Sequence, residues 1–136
     1  MVVREASGIY DLARLARRSI EPGLPLDLDG KTISAGACLH AALVVIMLCR
    51  RFWGYPCLVR GGQEGARDVR GVWHGHYWVE VQVPAAGVFV VDITADQFGH
   101  APVVVLTLEE SRSLYRPGVQ SEVDNAFESI MQEFQC

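Results

Sequence analysis

The sequence predicts a single α+β domain spanning residues 1–136, and three patterns support this class. Apolar residues recur at helical spacing near both ends of the chain, in residues 7–20 and 121–135. Residues 36–52 are apolar on every side, as in a buried helix, and residues 74–94 hold two β-rich runs joined by a turn. A chain of 136 residues can bury one core but is too short for two full-sized domains.

The helices are predicted first, in chain order. The first covers residues 7–20, with apolar positions at 9, 12, 15, 16 and 20 and with Ser7 as a candidate N-cap. Prolines and glycines interrupt the pattern after residue 20. The second runs from Gly36 to about Phe52 and should be the buried central helix of the domain. A terminal helix over residues 121–135 carries an apolar stripe of Val123, Phe127, Ile130, Met131 and Phe134.

The β candidates follow the central helix. Residues 54–62 read as a short strand after a Gly-x-Pro break, and residues 63–71 read as a polar loop. Residues 74–83 and 88–94, joined by "PAAG", predict an antiparallel hairpin. Residues 101–108 are a further β candidate, and residues 108–115 favour a short helix. The sheet should therefore be antiparallel, with the central helix packed on it and helices flanking it.

Charge and hydropathy exclude several classes of partner. Twelve basic and sixteen acidic side chains give a net charge of -4, without a long Lys/Arg cluster, which argues against nucleic acid. The longest apolar run, residues 41–49, is far shorter than the roughly 20 residues that a bilayer span needs. The first residues are partly acidic and do not resemble a signal peptide. The sequence therefore predicts a cytoplasmic protein with no membrane partner. It gives no prediction of the oligomeric state.

The four cysteines are Cys38, Cys49, Cys57 and Cys136, and no two of them form a C-x-x-C pair. A domain of this size does not need disulfides, so the thiols are predicted to be reduced and to act singly. Cys49 and Cys57 stand in apolar surroundings that predict buried, inert thiols.

Cys38 differs because it lies where the central helix begins. If Ser34 or Ala35 caps the helix, unpaired backbone N–H groups and the helix dipole stabilise a thiolate at Cys38. The same N–H groups could receive an oxyanion, and Gly36 leaves the approach open. The alternative for a cysteine taken alone is ordinary core packing.

A thiolate nucleophile needs a base, and His76 is the best placed of the four histidines. His40 points about 200° around the helix from Cys38, whereas His76 begins a strand that could pass the helix start. The base needs an acceptor on its second nitrogen, and Asp92 fits because a carboxylate in an apolar strand must have a partner.

Two hairpin registers leave the identity of this acceptor open. A turn centred on Ala85 and Ala86 sets Asp92 opposite Val79. A five-residue loop sets Asp92 opposite Glu80 instead, and then places Asp96 directly across from His76. Both Asp92 and Asp96 are therefore candidates.

Two further side chains are weaker site candidates. Trp78 shares a strand face with His76 and would either wall the site, cover the His–Asp pair or simply pack in the core. Gln97 could donate a hydrogen bond to an oxyanion. His74 and His76 could ligate zinc together with Cys38 or Asp92, but no second ligand pair supports this, so no metal or other cofactor is predicted.

Two segments resemble the transglutaminase-like, papain-fold cysteine enzymes. "GACLHAALVVIMLCRRFWGYPCLVRGG" is similar to the family's nucleophile helix and following strand. "HYWVEVQVPAAGVFVVDIT" is similar to its His-x-Trp-x-Glu-Val strand, turn and Asp-x-Thr ending. The resemblance covers residues 36 to about 94. It implies the papain-like transglutaminase-core fold, with Cys38 as nucleophile, His76 as general base and then acid, and Asp92 as the orienting carboxylate.

The resemblance implies a cysteine hydrolase of the small bacterial type, acting on a peptide or amide bond through a thioester acyl-enzyme. Its substrate would be a peptide or protein. Leu39 stands where animal transglutaminases have tryptophan, and no acidic calcium loop is present, which argues against protein crosslinking. Acyl transfer and glutamine deamidation use the same triad and stay open, as does a non-catalytic peptide-binding module that keeps the fold.

Overall fold

The structure is a computed structural model that describes residues 2–133, with the side chains of residues 8–133. A four-stranded antiparallel sheet in the order β1-β2-β3-β4 is combined with four α-helices, which confirms the predicted α+β class. The strands are β1 (Cys57–Arg67), β2 (Trp73–Val83), β3 (Gly87–Asp92) and β4 (Val104–Thr107). The helices are α1 (Val2–Ile20), α2 (Cys38–Phe52), α3 (Leu108–Ser111) and α4 (Gln120–Glu133). Within the described part of the chain, no helix combines the length and apolar character that crossing a bilayer requires.

The main core lies between the sheet and the helices α1, α2 and α4. Its buried residues include Ala13 from α1, Val45 and Ile46 from α2, Val79 from β2 and Val123 from α4. A second, smaller cluster joins Trp78, Phe98 and Tyr115. The central helix is therefore buried on most sides, as predicted, although Met47 is 60% exposed.

The helix boundaries differ from the prediction at two N-termini. Helix α1 begins at Val2, so Ser7 lies inside it and is not its N-cap. Helix α2 begins at Cys38 with Ala37 as N-cap and without a capping side chain, so neither Ser34 nor Ala35 caps it. The C-terminal helix is confirmed over Gln120–Glu133. Phe134 and Cys136 lie outside the described residues.

Strand β1 extends further toward its C-terminal end than predicted. The predicted polar loop over residues 63–71 was therefore wrong in part. Residues 63–67 continue β1, with a shift of register between Gly62 and Ala66. A short turn follows, in which the Asp68 carboxylate accepts hydrogen bonds from the N–H groups of Arg70 and Val72. Charged and glycine residues hid this strand because they break the apolar alternation on which strand prediction depends.

The β2–β3 hairpin adopts neither of the two expected registers. Val83 pairs with Gly87 and Val79 pairs with Val91, so Pro84, Ala85 and Ala86 form a three-residue turn. Ala85 has a φ of +66°, the left-handed conformation that such a turn needs. Extending this register by one residue brings Asp92 level with Trp78. Asp92 and His76 are thus diagonal neighbours on one face, and no bulge is needed to bring them together.

Glycines allow β1 to approach the backbone of β2 closely beside His76. A Cβ atom at Gly65 would lie 2.6 Å from the His76 carbonyl oxygen and 2.9 Å from the Trp78 ring. Because the carbonyl belongs to a paired strand, it cannot move aside without disturbing the sheet. Gly65 therefore determines how closely β1 packs against the strand that carries His76.

We expect the Gly65→Ala substitution to lower the free energy of unfolding by about 1–3 kcal/mol, because the added methyl group overlaps a fixed backbone atom. Urea denaturation measures the change. Gly75→Ala is the matched control, since a Cβ there meets its nearest atom at 3.6 Å, an ordinary contact. An unfolding midpoint for Gly65→Ala equal to that of wild type would contradict the packing argument.

Candidate active site

A buried histidine–aspartate pair lies at the centre of the candidate site. His76 Nε2 is 2.8 Å from Asp92 Oδ2, and the two residues are only 1% and 2% exposed. The other carboxylate oxygen, Oδ1, accepts hydrogen bonds from the Thr94 N–H at 3.0 Å and the Thr94 hydroxyl at 3.3 Å. The Tyr115 hydroxyl donates to Oδ2 at 2.7 Å. Both oxygens of the buried carboxylate are therefore satisfied.

The environment keeps this pair charged. Burial by itself raises the pKa of Asp92, but the charge and hydrogen bond of His76, together with Tyr115 and Thr94, outweigh it and lower the pKa. Burial likewise lowers the pKa of His76, but the charge and hydrogen bond of Asp92, with smaller contributions from Cys38, raise that pKa to about 9. The imidazole is therefore protonated at neutral pH.

Cys38 is the first residue of α2 and contacts this imidazole. Its thiol is half-buried and lies close enough to the imidazole to be one of the smaller causes that raise the pKa of His76. Because Nε2 is engaged by Asp92, Nδ1 is the ring nitrogen available to the thiol. The helix starts at Cys38 without a capping side chain, so no side chain of the N-cap residue occupies its first N–H groups.

Gln97 lies on the same side of the imidazole as Cys38. Its Nε2 is 3.4 Å from His76 Nδ1 and donates to the Thr94 carbonyl at 3.1 Å. The side chain is half-buried, so a tethered amide donor lies beside the imidazole nitrogen that Asp92 does not contact. Gly36, two residues before Cys38, has a φ of +83°, which supplies a conformational reason for glycine at that position.

Asp96 has a different partner from Asp92. Its two oxygens accept hydrogen bonds at 2.9 Å from the guanidinium of Arg17, which is 4% exposed, and Oδ1 also accepts from the Ser34 hydroxyl at 2.6 Å. Arg17 also donates to the Ile93 carbonyl at 2.8 Å. The carboxylate that contacts His76 is therefore Asp92, whereas Asp96 ties α1 and the segment before α2 to the loop that carries Gln97.

Aromatic rings cover the His76–Asp92 pair. The Phe98 ring meets His76 edge-on at a centroid distance of 4.8 Å, and Trp78 stacks with the imidazole at 6.4 Å. Trp78 is fully buried against Tyr115, so it both covers the pair and packs in the second core cluster.

Tyr115, Thr94 and Phe98 were not singled out from the sequence. Thr94 lies in the Asp-x-Thr ending and offered a signal, but nothing in the sequence ties Tyr115 to a residue 23 positions earlier.

Cys49 and Cys57 lie close together and are both free thiols; Cys49 is buried, as predicted, whereas Cys57 is only half-buried. Both are hydrogen-bonded to the Tyr55 carbonyl, with sulfur–oxygen distances of 3.9 Å for Cys49 and 3.4 Å for Cys57. A hydrogen bond from Cys57 lowers the pKa of Cys49 to about 7, and the same bond raises the pKa of Cys57. Cys49 is nevertheless fully buried, which shields it from reagents in solvent.

The described side chains include no group of three His, Cys, Asp or Glu residues suited to a metal ion. The imidazole of His74 lies 2.7 Å from the Asp68 carboxylate and not beside Cys38. His40 lies 3.9 Å from Glu133.

No family model matches the chain, and neither curated proteins nor solved structures yielded a match. The geometry and chemistry of the site therefore carry the functional interpretation.

Replacing His76 with Gln should make stability less dependent on pH. The raised pKa of His76 means that its charged form adds stability, fully present below about pH 6.5 and lost as the pH rises through about 9. A rise from 6.5 to about 9 corresponds to about 3 kcal/mol. We expect the difference in unfolding free energy between wild type and His76→Gln to shrink by up to that amount between pH 6 and pH 9.5.

Urea titrations at several pH values measure this difference. His74→Gln is the control, because the contact of His74 with Asp68 is partly exposed and should contribute little to stability. A difference for His76→Gln that stays constant across the window would show that the imidazole is not charged in the folded state.

Tyr115→Phe should lower the free energy of unfolding by about 1.5–3 kcal/mol at pH 7, because the buried Asp92 carboxylate loses a charge-assisted hydrogen bond while the ring packing remains. Tyr10→Phe, at an exposed position of α1, should change it little. Equal stabilities of the two variants in urea denaturation would rule out a stabilising bond from Tyr115.

Proposed function

We propose that the chain is a cysteine acyl-transfer enzyme that hydrolyses a peptide or amide bond through a thioester acyl-enzyme. The observation that carries the proposal is a helix-start thiol, Cys38, in contact with an imidazole whose other nitrogen bonds a buried carboxylate. Nucleophile, base and orienting group are the three parts of a nucleophilic triad.

The burial of the pair favours a catalytic over a structural role. A buried ion pair contributes little net stability, because the desolvation cost offsets most of the attraction. Here four hydrogen bonds hold the Asp92 carboxylate, and the imidazole that they orient faces a half-buried thiol. Charged groups with strongly shifted pKa values beside a potential nucleophile are typical of active sites.

The first half-reaction begins from a Cys38 thiolate beside a His76 imidazolium that already holds the proton, because the raised pKa of His76 keeps the ring charged at neutral pH. The thiolate attacks the carbonyl carbon of the substrate, and the resulting oxyanion accepts hydrogen bonds from the N–H groups at the start of α2 and from the Gln97 amide. The C–N bond then breaks, and the imidazolium gives its proton to the leaving amine. A thioester at Cys38 and a neutral His76 result.

In the second half-reaction, His76 takes a proton from water, which attacks the thioester carbon. The C–S bond breaks, the carboxylic acid leaves, and the Cys38 thiolate is restored beside the His76 imidazolium, which keeps the proton taken from water. Asp92 holds the ring orientation throughout and stabilises the imidazolium. An amine in place of water would give acyl transfer, and a glutamine side chain as the acyl donor would give deamidation, so the same residues serve these alternatives.

The papain-like transglutaminase-core fold is part of the same proposal. The order of nucleophile helix, histidine strand and aspartate strand, with α2 packed on an antiparallel sheet, supports it. The proposed substrate is a peptide or protein, and a reducing compartment such as the cytoplasm suits a mechanism that needs free thiols.

Iodoacetamide at pH 6 tests the nucleophile. We expect Cys38 to be alkylated at least about tenfold faster than a free cysteine, because ordinary thiols with a pKa near 8.5 are almost fully protonated at this pH. Mass spectrometry of the digested protein identifies the alkylated cysteine. Cys38→Ala should abolish the fast phase, and His76→Gln should slow it at least about tenfold.

Two controls make the result specific. His74→Gln removes the neighbouring histidine of the same strand and should leave the rate unchanged. Cys49→Ala removes the thiol whose pKa is lowered by its neighbour. Fast labelling at Cys49, Cys57 or Cys136 instead of Cys38 would overturn the assignment, and a slow Cys38 in an intact fold would favour the non-catalytic peptide-binding module.

A further inference from the structure

An apolar cavity of about 360 Å³ lies beside the start of α2. Its wall is formed by the end of α1, the segment before α2 and the first turn of α2. Among the described residues that line it, His40 alone has a polar side chain. The apolar lining includes Ile20, Leu24, Pro25, Ile33, Ala37 and Ala41.

The cavity adjoins the candidate nucleophile through the chain itself. Gly36 and Ala37, the two residues before Cys38, belong to its lining, as does Ala41 one turn later. Cys38 itself does not line the cavity, whose nearest wall is the residue directly before it in the chain.

The wall opposite the helix is a structured loop. The Ile33 N–H donates to the Pro25 carbonyl at 2.7 Å, and the Asp27 N–H donates to the Lys31 carbonyl at 2.8 Å. Arg17 also donates to the Thr32 hydroxyl at 3.1 Å, which ties the loop to α1. Hydrogen bonds therefore hold Pro25 and Ile33 in place as one side of a preformed pocket.

We propose that this cavity is a specificity pocket that binds an apolar side chain of the substrate next to the scissile carbonyl. The inference rests on the proposed function, since it takes Cys38 as the reacting group. An apolar side chain gains by leaving water for this lining, whereas a polar one of the same size loses its hydrogen bonds there.

The probes are two iodoacetamides that carry the same reactive group and differ at one atom. N-butyl iodoacetamide has an apolar tail, and N-(2-methoxyethyl) iodoacetamide is its neutral polar isostere. Alkylation of the Cys38 peptide is followed by mass spectrometry, and each rate is divided by the rate with N-acetylcysteine. We expect the butyl probe to react about fivefold faster or more at Cys38.

The reaction is run at pH 9, where thiols are ionised with or without a histidine partner. The ratio of the two rates then measures the pocket, whether or not His76 activates Cys38. Slow alkylation at pH 6 together with an intact butyl preference at pH 9 would refute the proposed nucleophile but not the pocket.

Substitutions in the loop test whether the preference for the butyl probe arises in the cavity. Ile33→Asp places a charge in the lining, and Ala35→Phe, at an exposed lining position, fills the cavity; each should reduce the ratio to about one. Leu28→Asp is the matched control, because Leu28 belongs to the same loop but is fully exposed and outside the lining. It should keep the wild-type ratio.

Equal rates for the two probes in wild type would overturn the proposal. A butyl preference that persists in folded Ala35→Phe would overturn it as well, because the apolar tail would then bind elsewhere. If Ile33→Asp fails to fold, as circular dichroism would show, Ala35→Phe decides the question by itself.

Discussion

The buried carboxylate of Asp92 is the group on which the arrangement of the site depends. An unpaired charge at this position would cost several kcal/mol, so every donor around it is required. Those donors come from β2, from the residues that follow β3 and from Tyr115 beyond α3. Three separate parts of the chain therefore meet at one carboxylate, and their meeting fixes the imidazole that faces Cys38.

A second, partly buried ion pair holds the other half of the site. The Asp96 carboxylate accepts hydrogen bonds from the guanidinium of Arg17 and from the hydroxyl of Ser34. These bonds join α1 and the segment before α2 to the loop that carries Gln97. The start of α2 is thereby fixed relative to His76. The two aspartates stand four residues apart and have different partners, because Asp92 bonds His76 whereas Asp96 holds the segment that leads into Cys38.

Local patterns in the sequence predicted the elements, the antiparallel hairpin and the candidacy of Cys38, His76 and Asp92. They could not predict the residues joined by non-local contacts. Tyr115 reaches Asp92 only because the chain after α3 pairs with β1, where Ala66 bridges Tyr115. The length of β1 depends on glycines that contact a neighbouring backbone, and the hairpin register depends on one left-handed residue, Ala85. Neither the glycine contacts nor the left-handed turn residue produces a periodic pattern of apolar residues in the sequence.

Position on one helix separates the candidate nucleophile, Cys38, from the packed thiol of Cys49. Cys38 and Cys49 both belong to α2, in similarly apolar sequence. Cys49 is enclosed near the C-terminal end, where it meets the Cys57 thiol and the Tyr55 carbonyl, and its burial limits access. Cys38 is half-buried at the positive end of the helix dipole, beside an imidazole held in its charged form. A lowered thiol pKa, as at Cys49, is therefore not sufficient for nucleophilic chemistry, because the thiol must also be accessible and paired with a base that can return its proton.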